Sequence, residues 1–255
     1  VAGRGADHTT NGIRVGIDGW VYIAVGDFGY FKAIDVDGKT HQLLGGGVAR
    51  VQPDGRELEV YAKGTRNICD VAIDPLLNVF ARDNTNDGGG WDVRLSFIPQ
   101  SAEMGYPSLY KRFGDEHVHP LADYGGGSGT GAVYLSEPTL PPPYQDALLT
   151  ADWGRSCVYY QPLTAKGASF EAGNEVFLTI PRPTDLDVDA SGRIYVASWK
   201  DGQYKYKGEN IGFLALLTPK GASAAAAPDV RKQSDTTLLE LLAGPSAVER
   251  MAAQW

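Results

Sequence analysis

The chain has 255 residues, room for one large domain or two modest ones with a sizeable core. Its 31 acidic and 23 basic residues give a net charge of −8. With no Lys/Arg run, nucleic acid is not an expected partner, and no apolar run is long enough to span a bilayer. The opening, VAGRGAD, shows no signal peptide and does not begin with Met. A Gly count of 32 alongside abundant aromatic residues points to short strands and turns rather than helices. Cys69 and Cys157 are expected to be free thiols.

In chain order, one pattern recurs: an apolar strand, an Asp/Gly/Pro turn, then a second apolar strand. It appears as GIDGWVYIAVGD (16–27), AIDPLLNVFARD (72–83), PPYQDALLTADWG (142–154) and VDASGRIYVASW (188–199). The turn residues supply positive φ and local capping, and the strands are β-branched and aromatic. Further strands follow each pair, so the chain divides into units at about 13–64, 68–120, 131–181 and 185–220. A period of roughly 45–60 residues with up to four strands per unit is a β-propeller signature. The long polar stretch from Pro99 to Thr130 reads as top-face loops. The expected fold is all-β: a propeller of the six-bladed type, about four blades of it in this chain, with the others expected before Val1. Residues 1–220 form this domain, 221–235 an Ala-rich linker, and 236–255 a short C-terminal α-helical tail that breaks at Gly244-Pro245.

Propellers bind ligands on one face, on the loops that precede inner strands. Here those loops are 3–12, 63–70, 123–131 and 180–185, and His8, Arg66 and Arg182 are the charged groups expected to point inward. A convergence of one His, several Arg and several carboxylates suits an anionic ligand and proton abstraction. The run DNTND (83–87), in a strand-following loop of the second unit, offers carboxylates, amides and carbonyls, a donor set for Ca²⁺ rather than zinc.

The segments DHTTNGIRVGIDGWVYIAVGD, GTRNICDVAIDPLLNVFARDNTND, MGYP, GRSCVYY and RPTDLDVDASGRIYVAS resemble the soluble quinoprotein glucose and sorbosone dehydrogenase family, in order and approximate spacing, over about residues 5–220. The resemblance implies an oxidoreductase that binds pyrroloquinoline quinone (PQQ) with Ca²⁺ over the central channel and oxidises a sugar or related alcohol. It implies His8 as the base and Arg66 as the electrophilic anchor. Arg66, Asn67, Asp83, Asn84, Thr85, Arg155 and Arg182 would contact the cofactor, and Asn84, Thr85, Asp87 and Asp92 would surround the metal. The sequence departs from the family at Asp70, where an amide is common, at Asn84-Thr85 in place of Gly-Pro, and at Thr184 in place of a second Arg. The tail is similar to the start of the helical repeats in larger relatives that also carry a cytochrome c module. That implies a periplasmic or secreted protein with a cytochrome c electron acceptor.

Other residues have plainer readings. His41 reads as exposed, and His117 and His119 as part of a solvated loop. Trp20, Trp153 and Trp199 read as blade core, leaving Trp91 as the ligand-facing indole, and GGGSGTG as a flexible top loop. Two competing functions are a calcium-dependent lactonase-type hydrolase and a non-catalytic propeller recognition module.

Overall fold

A computed structural model describes residues 8–85, 92–110, 112–200, 209–220 and 229–255. Four antiparallel sheets succeed one another along the chain as propeller blades. Blade 1 contains β1 (Thr10–Val15) and β2 (Val21–Val25). An inserted hairpin, β3 (Tyr30–Ile34) and β4 (Thr40–Leu43), follows, then β5 (Gly46–Val51) and β6 (Glu59–Thr65), and the sheet order is β1-β2-β5-β6. Blade 2 runs β7 (Ala72–Ile73), β8 (Val79–Asn84), β9 (Val93–Phe97) and β10 (Ala122–Asp123). Blade 3 has β11 (Gly129–Ser136), β12 (Asp146–Asp152) and β13 (Cys157–Gln161), a hairpin of β14 (Leu163–Lys166) and β15 (Ser169–Ala172), and β16 (Glu175–Thr179) as its outer strand. Blade 4 comprises β17 (Pro183–Val188), β18 (Ile194–Trp199) and β19 (Gly212–Leu217). The four sheets match the four units of the repeat.

Strand periodicity explains the core. Successive side chains leave a strand on opposite faces, so one strand feeds two inter-blade layers. Tyr22 and Ala24 of β2 join Val79 and Ala81 of β8 between blades 1 and 2. Phe80, between those two β8 residues, points the other way, with Ala132 and Leu148 between blades 2 and 3. Leu149 and Ala151 of β12 then pack with Leu186 and Val196 between blades 3 and 4. On the far side of blade 1, Ile13 and Val15 are exposed, as are Leu214 and Leu216 on the far side of blade 4.

The hairpin turns explain the repeated Asp. Asp18 accepts from the Tyr22 hydroxyl at 2.8 Å. Asp74 accepts from the backbone N–H groups of Leu76 and Asn78 at 2.8 and 2.9 Å, and Asp189 from Ser191 and Arg193 at 2.9 and 3.1 Å. These are side-chain-closed turns, the local reason for Asp in the motif. Blade 3 has Glu137 there instead, fully buried, and it serves the tail. The tail forms α1 (Asp235–Leu242) and α2 (Ala247–Gln254), capped by Ser234 and Ser246. Glu137 accepts from the Ser246 hydroxyl at 2.5 Å and from the Val248 N–H at 3.0 Å, a carboxylate on a helix N-terminus. Gln254 donates to the Ile17 carbonyl at 2.9 Å, so α2 spans the hairpin turns of blades 1 and 3.

Two sequence expectations change. The stretch after Pro99 is not wholly a top-face loop. Residues 101–106 run beside β6, through Lys63 N–H to Ala102 O (3.0 Å), Met104 N–H to Lys63 O (2.9 Å) and Tyr106 N–H to Gly64 O (2.8 Å). His41 is not exposed either: its side chain, 11% accessible, pairs with Asp35 at 2.8 Å. Both cysteines are free thiols, as expected.

Candidate functional site

The Asp-turn hairpins lie at one end of the blades. At the other end, the loops that enter the inner strands meet the ends of β2, β8, β12 and β18. A cavity of about 730 Å³ opens there, lined by residues of all four blades, among them His8, Asn67, Asn84, Trp153, Arg155 and Arg182. It is within the usual size of a small-molecule or cofactor site. Neither Asp nor Glu lines it among the described residues.

His8 lies just before β1. Its Nδ1 is 2.5 Å from Asp27 Oδ1, and the two side chains are 18% and 19% exposed. Phe28 flanks the ring at 5.1 Å. The backbone fixes this arrangement: Gly26 N–H donates to Thr9 O at 2.8 Å and Phe28 N–H to His8 O at 3.0 Å. With a carboxylate on Nδ1, the neutral ring keeps its proton there, and Nε2 is the basic nitrogen. Sequence reasoning missed Asp27, yet the hairpin register contains it. Thr10 pairs with Val25, so counting two residues back and two on puts position 8 opposite position 27.

Arg66 and Asp83 are not among the residues that line the cavity. Asp83, fully buried, accepts from the backbone N–H groups of Arg66 (3.0 Å) and Asn67 (2.8 Å), so it pins the Arg66–Asn67 loop. Burial pushes the Asp83 carboxyl above the usual range, against those hydrogen bonds and Arg94. Arg66 Nη1 donates to the Asn84 carbonyl at 3.1 Å.

That contact bears on calcium. The Asn84 carbonyl already faces a guanidinium. The buried Thr85 hydroxyl bonds to the Asp92 carbonyl at 3.3 Å and to the Tyr110 hydroxyl at 3.1 Å, and Asp83 serves backbone amides. Asp87, and Trp91 with it, lie outside the described residues. Among the described residues, no group of three or more His, Cys, Asp or Glu is placed to hold a metal. Among the described residues of this loop, the Asn84 carbonyl and the Thr85 hydroxyl are thus engaged by protein groups, and calcium is not carried into the functional reading.

The opposite wall comes from the glycine-rich segment and blade 3. Asp152 Oδ1 accepts from the backbone N–H groups of Ser128 and Arg155, both at 2.9 Å. A Cβ at Gly127 would fall 2.4 Å from the Asp152 carboxylate, so only glycine fits. The GGGSGTG segment is therefore a built wall. Arg155 donates to the carbonyls of Gly126 (2.5 Å) and Tyr124 (2.8 Å). Arg182 donates to those of Trp153 (2.9 Å) and Gly154 (3.0 Å). Trp153 and Trp199, expected in blade cores, line the cavity instead, edge to face at 6.0 Å. Thr184 lines it too. Among the lining residues, Asn67 Oδ1, Asn84 Oδ1 and Trp153 Nε1 are themselves buried, with no hydrogen-bond partner.

Asp70, the departure from the family's amide, does not line the cavity; its neighbour Cys69 does. Asp70 turns into the central channel, where Arg14 Nη2 donates to it at 2.8 Å, and to Ala132 O and Leu186 O at 2.9 and 2.8 Å. Arg14 thus ties blade 1 to blades 3 and 4, with Asp187 3.3 Å away as a further counter-charge. Burial pushes Asp70 up to about 6, against the pull of Arg14, with Asp185 adding to the rise. A carboxyl raised on folding stabilises fully below its unfolded value, and that contribution fades as pH rises through the folded value. Stability should fall by up to about 3 kcal/mol between roughly pH 4 and pH 6 on this account. Urea melts across that range should show a flatter profile for Asp70→Asn than for the parent; an equally steep one would remove Asp70 as the cause.

These features define a β-propeller with a ligand cavity at one end of its channel. A family profile described as a domain of unknown function (DUF7133) matches residues 3–179, and the chain belongs to that family. No curated protein matches. Solved structures do. A PQQ-bound aldose sugar dehydrogenase from Streptomyces coelicolor is 24% identical with a TM-score of 0.59, covering 81% of this chain and 61% of that one. A putative oxidoreductase (glucose dehydrogenase) from Thermus thermophilus is 21% identical with a TM-score of 0.63, covering 82% and 66%. At these identities the likeness is one of fold, and this chain spans 61% and 66% of their lengths. No helix among the described residues is long and apolar enough to cross a membrane.

Proposed function

We propose that this propeller belongs to a PQQ-dependent oxidoreductase that oxidises a sugar or related alcohol. The observation that carries the reading is the convergence, on one cavity, of an Asp-oriented histidine with two asparagines and two arginines. When bound, the quinone supplies the acceptor for a hydride leaving the substrate carbon. Asn67, Asn84, Arg155 and Arg182 are the residues that would hold it. His8 takes the proton of the substrate hydroxyl on Nε2, and Asp27 orients the ring and stabilises the imidazolium that results. Arg66 acts through the Asn84 backbone, as a residue that shapes the cavity floor. A cytochrome c acceptor and a periplasmic or secreted location belong to the same proposal. Nothing in the described residues favours the lactonase reading, which needs acidic side chains converging on an ion.

The test is titration of the protein with PQQ, with and without added Ca²⁺, followed by calorimetry and by dye reduction over a panel of aldoses and alcohols. Saturable binding with sugar-dependent dye reduction is expected. Absence of binding under both conditions would remove the cofactor, and the recognition-module reading would take its place.

A further inference from the structure

His117 and His119 do not line the ligand cavity; they lie on the segment that leads into β10. They are two residues apart, His117 has extended backbone (φ −143°, ψ 164°), and both side chains leave the same side of the segment. Their ring centroids are 5.4 Å apart, with the planes tilted by 35°. Two imidazoles on one tetrahedral ion, with metal–nitrogen bonds of about 2.0–2.1 Å, have centroids about 5 Å apart. The pair thus already has the spacing of a chelate.

The His117 ring is held in place, which a merely solvated loop does not require. Val118 N–H donates to Glu103 O at 2.9 Å and joins this segment to the one beside β6. The ring packs on Gly105, at φ +93°, where a Cβ would fall 2.6 Å from His117 Cγ, so only glycine gives it that seat. Nδ1 lies 2.9 Å from the Val118 carbonyl. A carbonyl only accepts, so Nδ1 donates its proton there and the ring's lone pair is left on Nε2. Metal-binding histidines are oriented in this way, with one ring N–H on a backbone carbonyl and the other nitrogen turned to the ion. His119 is exposed, so the pair is open to ions from solvent.

We propose that His117 and His119 together bind a divalent transition-metal cation. Two imidazoles select Zn²⁺, Ni²⁺ or Cu²⁺ over Mg²⁺ or Ca²⁺, with Cu²⁺ held most tightly. No third His, Cys, Asp or Glu joins them among the described residues, so water completes the coordination. The site stands apart from the cofactor reading and does not depend on it. The test titrates tag-free protein with ZnCl₂ by calorimetry, for the parent, His117→Ala and His119→Ala, with circular dichroism to check that each variant is folded. The expected result is saturable binding of one ion per chain by the parent, weakened at least about tenfold in each variant. Zn²⁺ should also raise the melting temperature of the parent and leave that of the variants unchanged, because an ion that binds the folded chain stabilises it. Binding that survives in either variant at the parent's affinity overturns the pair, as does no saturable binding by the parent up to about 1 mM. Electron paramagnetic resonance of the parent with one equivalent of Cu²⁺ needs no variant. Hyperfine coupling to two imidazole nitrogens is expected, and coupling to one or none overturns the proposal.

Discussion

Asp152→Ala is expected to lower stability by about 3–5 kcal/mol, as for other buried ion pairs stripped of one partner. Asp152 is fully buried and Arg82 is 1% exposed. Arg82 Nη2 donates to Asp152 Oδ2 at 2.9 Å, and the guanidinium lies between the rings of Tyr124 and Tyr159 at 4.9 and 4.8 Å. Burial depresses the Arg82 pKa and Asp152 opposes that, so the carboxylate keeps the cation tolerable inside the protein. Without it, a guanidinium sits in a protein interior with the Thr150 hydroxyl, 3.3 Å away, as its remaining hydrogen-bond acceptor. The same substitution frees the Ser128 and Arg155 amides, so the glycine-rich wall should loosen and PQQ affinity fall with stability. Urea denaturation measures the first effect and calorimetry the second. The double replacement Arg82→Met with Asp152→Leu should recover much of the stability, because it removes the charge as well as its partner. A loss under about 1 kcal/mol for Asp152→Ala, the scale of an exposed pair, would show that the pair does not brace blades 2 and 3.

Why that pair escapes a sequence reading while the blades do not is a matter of range. The blade pattern is local: period-2 alternation plus an Asp that closes the hairpin turn in three of the four blades, Asp18, Asp74 and Asp189. Asp27 is nearly local, since the register of one hairpin carries it to His8. Arg82 and Asp152 are 70 residues apart on different blades, and each reads as one more polar position in an alternating strand. Trp153 and Trp199 mislead for another reason. They continue an apolar pattern, but β12 ends at Asp152 and β18 at Trp199, where the chain turns away from the layer and presents the indole to the cavity. Glu137 is legible as a departure, the one unit without Asp at its turn. Its partner, the N-terminus of α2, lies 109 residues on, beyond any local pattern. The loops that enter the inner strands line the cavity because the propeller arrangement brings those strand ends together whatever their sequence.

His8→Ala should reduce turnover by about 10²–10⁴-fold, the usual contribution of a positioned base. Melting temperature and PQQ affinity should change little, since the His8 ring packs at the cavity edge against Phe28 and not within an inter-blade layer. Asp27→Asn should also lower turnover. The amide can donate to Nδ1 as well as accept from it, so it no longer fixes the proton there, and it offers no full charge to the imidazolium. Gly26→Ala separates position from chemistry. A Cβ there would fall 2.6 Å from the His8 carbonyl carbon and 2.7 Å from Asn67 Oδ1, so both sides of the site must shift while every functional group is kept. A base that depends on placement predicts reduced turnover for Gly26→Ala with His8 and Asp27 intact. Steady-state turnover of the three variants, each loaded with PQQ, decides the point. A His8→Ala protein that turns over like the parent would place the proton acceptor elsewhere in the cavity and return His8 to the role of a turn residue paired with Asp27.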